Sequence, residues 1–289
     1  MLLEFTKMHG IGNDYIYFDC LKQGSEKLLE EIIRATPLLS DRHFGIGGDG
    51  TVLILSSEVA DAHMRMFNAD GSEGKMCGNA IRCVAKYLFD KGIIRSKTIT
   101  IETASGIKKL EIETKDGKVD SITVDMGSPD FKCKNVPCLF SGDTLKETSV
   151  FADGKEYVVT AVSVGNPHAV IFNDEMPQSD LRPLAEPLQK SEIFPEGVNV
   201  EFIKVKSRVE AEMRVYERGS GETLACGTGA CAAVAAGVET GRFEKGTFIK
   251  VCLRGGTLFV KYDGKNLFMK GGATTVFEGK TDTEEYYND

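Results

Sequence analysis

No stretch of the chain approaches the roughly 18 consecutive apolar residues that a membrane helix needs. The N-terminus, MLLEFTKMHG, breaks its few apolar residues with Glu4 and Lys7, so it lacks the core of a secretory leader. A cytoplasmic protein with no membrane partner is expected. Basic runs are absent as well: 35 Lys and Arg are scattered against 43 Asp and Glu, giving a net charge of −8. That balance leaves no basic stripe for nucleic acid. Neither C-x-x-C nor H-x-x-x-H occurs, and His9, His43, His63 and His168 lie far apart, so no zinc site is expected. What the chain does have is eight cysteines in 289 residues. Without an export signal these read as reduced thiols, and most are explained by burial as small hydrophobes. The length suits two domains of ordinary size.

The chain repeats itself. Met64 to Asn79, MRMFNADGSEGKMCGN, lies without gaps on Met213 to Thr228, MRVYERGSGETLACGT, at an offset of 149 residues. Met64, Arg65, Glu73, Cys77 and Gly78 recur as Met213, Arg214, Glu222, Cys226 and Gly227. KTITIETASG (97–106) matches GTFIKVCLRG (246–255) in pattern, and GNDYIYFD (12–19) resembles GNPHAVIFND (165–174). Two similar halves follow. In each, a strand (15–18; 169–172) leads through a polar stretch to a helix (26–35; 181–188). Strands then follow at 51–55 and 62–67, and at 200–205 and 210–216. A helix after the Cys-Gly pair precedes a final hairpin. In the first half that helix carries the stripe Ile81, Val84, Ala85 and Leu88 and ends at Gly92. In the second, 228–238 is nearly all small residues, which predicts a central helix enclosed by sheet. The expected fold is α+β, with two pseudo-symmetric domains, each a strongly curved, mostly antiparallel sheet wrapped around one helix. The domains are set at 1–126 with 274–289, and at 127–273.

In both halves the Cys stands where a polar loop enters a helix, with Asn79 or Thr228 as N-cap or first-turn residue. Unpaired N–H groups at such an end favour a thiolate and also bind carboxylate. Facing halves would set the two thiols on opposite sides of one cleft. Stereoinversion at carbon requires that arrangement: a thiolate takes the proton from one face and a thiol returns one to the other. The plainer reading is packing at duplicated turns, but the Cys is retained while most of its neighbours differ. Cys20, Cys83, Cys133, Cys138, Cys231 and Cys252 have no counterparts.

At these residues the sequence resembles the diaminopimelate epimerases. The motifs are KMHGIGNDY (7–15), DRHFGIGGDG (41–50), FNADGSEGKMCGNAIRC (67–83), VGNPHAV (164–170), GVNVEF (197–202) and YERGSGETLACGTGACA (216–232). Proline racemase, which also uses two Cys, and a phenazine-related isomerase group share the fold; the NADGSE and YERG segments favour the diaminopimelate enzymes. The resemblance implies interconversion of L,L- and meso-diaminopimelate for lysine and peptidoglycan synthesis, without pyridoxal phosphate or metal, by a homodimer. It makes Cys77 and Cys226 the acid–base pair, with backbone N–H groups of Gly78, Asn79, Gly227 and Thr228 on the reacting carboxylate. Asn68, Asn199, Glu217 and Arg218 bind the distal amino-acid head, where Arg218 grips a carboxylate and Glu217 pairs an ammonium. Asn13 and Asn166 line the site, and His168 and Glu217 tune the thiols. Taken singly, Asn13 and Asn166 could form turns, His168 could be a satisfied loop histidine, and Glu217 with Arg218 a solvated pair. Many members carry Gln where this chain has Gly50, so a side-chain contact is absent there.

Other classes fit less well. GIGGDG (45–50) is followed by a strand, whereas a dinucleotide fingerprint opens a helix, and GKT (279–281) has Thr274 where a phosphate loop needs Gly. A thiol hydrolase using His168 as base leaves the second Cys idle. A binding module without chemistry has no need of both thiols. A related racemase acting on proline or another amino acid is the alternative retained.

Overall fold

The computed structural model describes residues 1–21 and 25–287. The chain divides into two compact units, Met1–Val124 with Gly271–Asp289, and Asp125–Lys270. In chain order the first carries β1 (Leu2–Gly10), β2 (Asn13–Asp19), α1 (Glu26–Ser40), β3 (Gly50–Leu55), β4 (Ala62–Asn68), β5 (Glu73–Gly74), α2 (Gly78–Asp90), β6 (Thr98–Glu102), β7 (Lys108–Lys115) and β8 (Lys118–Gly127). The second carries β9 (Thr148–Ala152), β10 (Lys155–Ser163), β11 (Pro167–Asn173), α3 (Arg182–Gln189), β12 (Asn199–Ser207), β13 (Glu210–Glu217), β14 (Gly221–Glu222), α4 (Gly227–Glu239), β15 (Ile249–Leu253), β16 (Gly256–Tyr262) and β17 (Leu267–Gly271). The chain then returns to the first unit with β18 (Thr274–Asp282).

The two units have the same strand order. In the first it is β18-β1-β2-β3-β4-β6-β7-β8, and in the second β9-β10-β11-β12-β13-β15-β16-β17. Each has two parallel pairings at equivalent places, β2 with β3 and β4 with β6, then β11 with β12 and β13 with β15. A parallel pairing needs a crossover, and each crossover here contains a helix: α1 and α2, then α3 and α4. The remaining pairings are antiparallel, which gives the mixed α+β fold with pseudo-symmetric units.

The second helix of each unit packs on the concave side of its own sheet, α2 against β1, β2 and β7, and α4 against β10, β11, β12 and β16. The expected stripe of α2 is fully buried, with Ile81, Val84, Ala85 and Leu88 all at 0% exposure. Each large member of the stripe contributes about 1.5–3 kcal/mol by leaving water. In α4 every residue from Gly229 to Gly237 is buried, so this helix is enclosed on all sides. Small side chains make that possible. The helix expected at 26–35 runs on to Ser40 through Pro37. Burial of Thr36 and Leu39, and the bonds of Thr36 Oγ1 to Ile32 O and Thr51 Oγ1, offset the proline's cost of about 3 kcal/mol.

Close packing around α4 sets a stability test. A Cβ on Gly237 would fall 2.1 Å from Cδ2 of Phe243, a ring at 2% exposure. Gly237→Ala should destabilise the protein by about 1–3 kcal/mol, although Ala in place of Gly usually helps a helix. A melting temperature equal to or above that of the parent would show that Phe243 moves aside freely.

Candidate functional site

The thiols of Cys77 and Cys226 are themselves the N-caps of α2 and α4. Both residues are extended (φ −133°, ψ 118° and φ −121°, ψ 109°), and each sulfur accepts from the third helical N–H. The distances are 3.4 Å from Ala80 N and 3.3 Å from Gly229 N. Asn79 and Thr228, expected as caps or first-turn residues, occupy the second helical position, in the first turn. The sulfur is large enough to reach the same N–H that a Ser or Asn oxygen would take. The N–H groups of Gly78 and Asn79, and of Gly227 and Thr228, belong to the helix starts that have no intrahelical acceptor. They form a donor pair beside each sulfur.

In the first unit the Cys77 thiol donates to Asn13 Oδ1 at 3.3 Å, and Asn13 Nδ2 donates to Asp49 Oδ2 at 2.7 Å. Asp49 also takes the Asp14 N–H and lies 2.9 Å from Arg42 Nη2. Asp14 in turn binds Arg42 and the buried Lys7. This charged cluster fixes which end of the Asn13 amide meets the sulfur. Burial works against the ionised Asp14, but the hydrogen bonds and charges of Arg42 and Lys7 outweigh it and hold the carboxyl below the usual range. Arg82, wholly buried, donates to Gly78 O and Asn79 Oδ1 at 2.9 Å each, steadying the first turn of α2. Asn68 ends β4 opposite Gly50, exposed, with Nδ2 on Ser72 Oγ.

Gly50 sits at φ +149°, and a Cβ there would lie 1.9 Å from Phe67 O. No side chain fits this backbone, which accounts for the missing contact.

The second unit gathers more of the expected residues. His168 and Asn199 are register partners on β11 and β12. Asn199 Oδ1 takes the Arg218 backbone N–H at 2.8 Å while Nδ2 donates to Pro167 O at 3.1 Å. His168 Nε2 is 2.9 Å from Asn166 Oδ1, and Nδ1 is 2.6 Å from Glu201 Oε1. Glu217 accepts from Thr223 Oγ1. Arg218 is exposed, with Nη1 on Glu196 O at 2.8 Å.

Sequence reading expects both helix ends to favour thiolate. For Cys226 the structure reverses this: burial pushes the thiol well above its ordinary value, and the charges of Glu217 and Glu201 push the same way. The contacts from Thr228 and the Gly229 N–H oppose them without prevailing. Burial likewise raises Glu217, against the hydrogen bonds it receives from Thr223 and Cys226. Cys226 is thus kept as S–H, ready to donate. Glu201, Asp49 and Arg82 were not anticipated. A lone acidic residue within the apolar run VNVEFI is the one sequence signal that could have found Glu201. Among the described residues no three His, Cys, Asp or Glu side chains are grouped to hold a metal ion.

A sequence profile described as diaminopimelate epimerase matches residues 5–132 and 160–276. The chain is 47% identical to the diaminopimelate epimerase of Acetivibrio thermocellus, over 98% of this chain and 100% of that one. It is 48% identical to that of Methanococcus maripaludis, over 97% and 100%. Among solved structures, a phenazine biosynthesis protein of the PhzF family from Bacillus anthracis superposes with a TM-score of 0.67 at 19% identity, covering 98% of this chain and 99% of that one. A hydroxyproline epimerase from Agrobacterium vitis gives 0.67 at 15%, covering 97% and 91%. These last two share the fold.

If the Glu217 charge holds the Cys226 proton in place, Glu217→Gln should make Cys226 alkylate faster with iodoacetamide at mildly alkaline pH. The labelled peptide is read by mass spectrometry. An unchanged or slower rate would assign the raised thiol to burial and the Glu201 charge without Glu217.

Proposed function

The chain belongs to the diaminopimelate epimerase family, and we propose that it interconverts L,L- and meso-diaminopimelate by moving the α-proton between Cys77 and Cys226. One observation carries this reading: in each unit the equivalent crossover carries a thiol that caps its helix, with two N–H donors beside it. A thiolate on one side breaks the α C–H bond and takes the proton; the thiol on the other side gives its proton to the carbanion, forming the new C–H bond with inverted configuration. No electrons leave or enter, and the two sulfurs exchange roles with the opposite stereoisomer.

The α-proton is weakly acidic, so the carbanion must be stabilised where its charge develops, on the carboxylate. The N–H groups of Gly78, Asn79, Gly227 and Thr228 serve this role. Their dipoles are fixed before the reaction and need not reorganise during it. Asn13 and Asn166 line the site. Asn68, Asn199, Glu217 and Arg218 hold the distal amino-acid head, a set that proline, with no second head, does not need. His168 and Glu217 tune the thiols. The enzyme works as a cytoplasmic homodimer in lysine and peptidoglycan precursor synthesis, without pyridoxal phosphate or metal. Cytoplasmic placement agrees with eight thiols and with the absence, among the described residues, of any helix long and apolar enough to cross a membrane.

Reduced protein in deuterated water should convert either stereoisomer to the other and place deuterium at the α-carbon, as followed by NMR and chiral chromatography. Cys77→Ala and Cys226→Ala should each lower inversion by about 10²–10⁴-fold. Neither exchange nor inversion by the parent protein would reject the reading, and turnover of proline instead would move the chain to the sister activity.

A further inference from the structure

The duplication supplies an internal control. The matched topology puts β3 and β12 at the same place, so Val52, two residues after Gly50, corresponds to Glu201, two residues after Asn199. Both are wholly buried, at 0% exposure. A valine therefore serves the packing in one unit, while the other buries a carboxylate. Glu201 Oε2 has no hydrogen-bond partner among the described residues. Burying an acid with one oxygen unsatisfied costs stability that a valine would not.

What that carboxylate touches explains it. Oε1 is 2.6 Å from His168 Nδ1, and the opposite ring nitrogen is 2.9 Å from Asn166 Oδ1. An amide oxygen only accepts, so Nε2 must carry a proton for the second contact to be a hydrogen bond. A Cβ on Gly229 would lie 2.8 Å from Glu201 Oε1 and 3.2 Å from Cys226 Sγ, so the acid and the thiol converge under the first turn of α4. In the first unit the residue equivalent to Asn166 is Asn13, which meets its thiol directly and is oriented by Asp49. In the second unit the histidine replaces the aspartate as the orienting group, and the histidine needs an anchor of its own.

We propose that Glu201 is a positioning residue: one proton held between its Oε1 and His168 Nδ1, in addition to the proton on Nε2, keeps Nε2 donating to Asn166 Oδ1, which leaves the Asn166 Nδ2–H groups for substrate. Without Glu201 the ring is distributed over two tautomers, and the Asn166 amide can turn its oxygen toward a substrate carboxylate, which repels it. The inference rests on the function proposed above in one respect, that Asn166 meets substrate.

The test uses Glu201→Val, which copies the other unit, and Glu201→Gln, whose amide N–H can donate to Nδ1. Nitrogen-15 spectra of labelled histidine, with His168 assigned by its loss in His168→Gln, read the tautomer directly. The parent should show Nε2 protonated. Glu201→Val should show a tautomer mixture, with KM for diaminopimelate raised about tenfold and kcat changed less than about threefold. Glu201→Gln should restore the Nε2–H tautomer and most of the KM. A folded Glu201→Val protein with a melting temperature at or above the parent's and an unchanged tautomer or KM overturns the proposal. If that variant does not fold, Glu201→Gln decides, because an Nδ1–H tautomer with parental KM overturns it equally. Should the parent fail to invert diaminopimelate, the proposed function falls, while the spectra still uphold or overturn the Glu201–His168 lock.

Discussion

A sulfur that accepts a helix N–H is the contact on which the site depends. It places each of Cys77 and Cys226 next to unpaired backbone donors, and it does so by the same bond that starts the helix. The sulfur and the free N–H groups beside it are therefore positioned together: shifting the helix start by one residue would move both. The sheet around each helix holds that start rigid, since α2 and α4 bury their apolar residues against strands that flank them on several sides.

The common frame carries two different surroundings. At Cys77 an amide, itself held by Asp49, receives the thiol proton, and the charges of Arg42, Lys7, Asp14 and Asp49 balance one another. At Cys226 burial and two carboxylates keep the proton on sulfur. The duplication thus supplies equivalent geometry around each thiol, and divergence supplies different neighbours.

Much of this was legible in the sequence because the duplication labels the residues it repeats. Cys77 and Cys226 stand out from eight cysteines only by recurring at a fixed offset, and the strands around them follow from the same alignment. Asn79 and Thr228 are first-turn residues, one of the two places the sequence allows them, and the cap itself was not read onto Cys77 and Cys226 because sulfur is not among the side chains that usually cap. Pro37 hid the last turn of α1, since a local breaker says nothing of the burial that overrides it. Glu201 was missed for a different reason. β12 is buried from Asn199 to Ile203, and a strand covered on both faces shows no alternation from which to infer that one residue points at a histidine. Arg82 lies off the apolar stripe of α2, and its burial depends on carbonyls that only the folded turn presents.

β1 lies between β2 and β18, pairing Leu2 with Asp282 and Thr6 with Glu278. The first unit is therefore assembled from the two distant ends of the described chain, whereas the second is continuous. During synthesis the continuous unit has all its strands before the other can close, so an early β1 waits with an unpaired edge until some 270 further residues have been made. Such an edge can template pairing with another chain. Interrupted translation should therefore leave a nascent product that aggregates through its amino-terminal strand while its carboxyl-terminal portion is already sound.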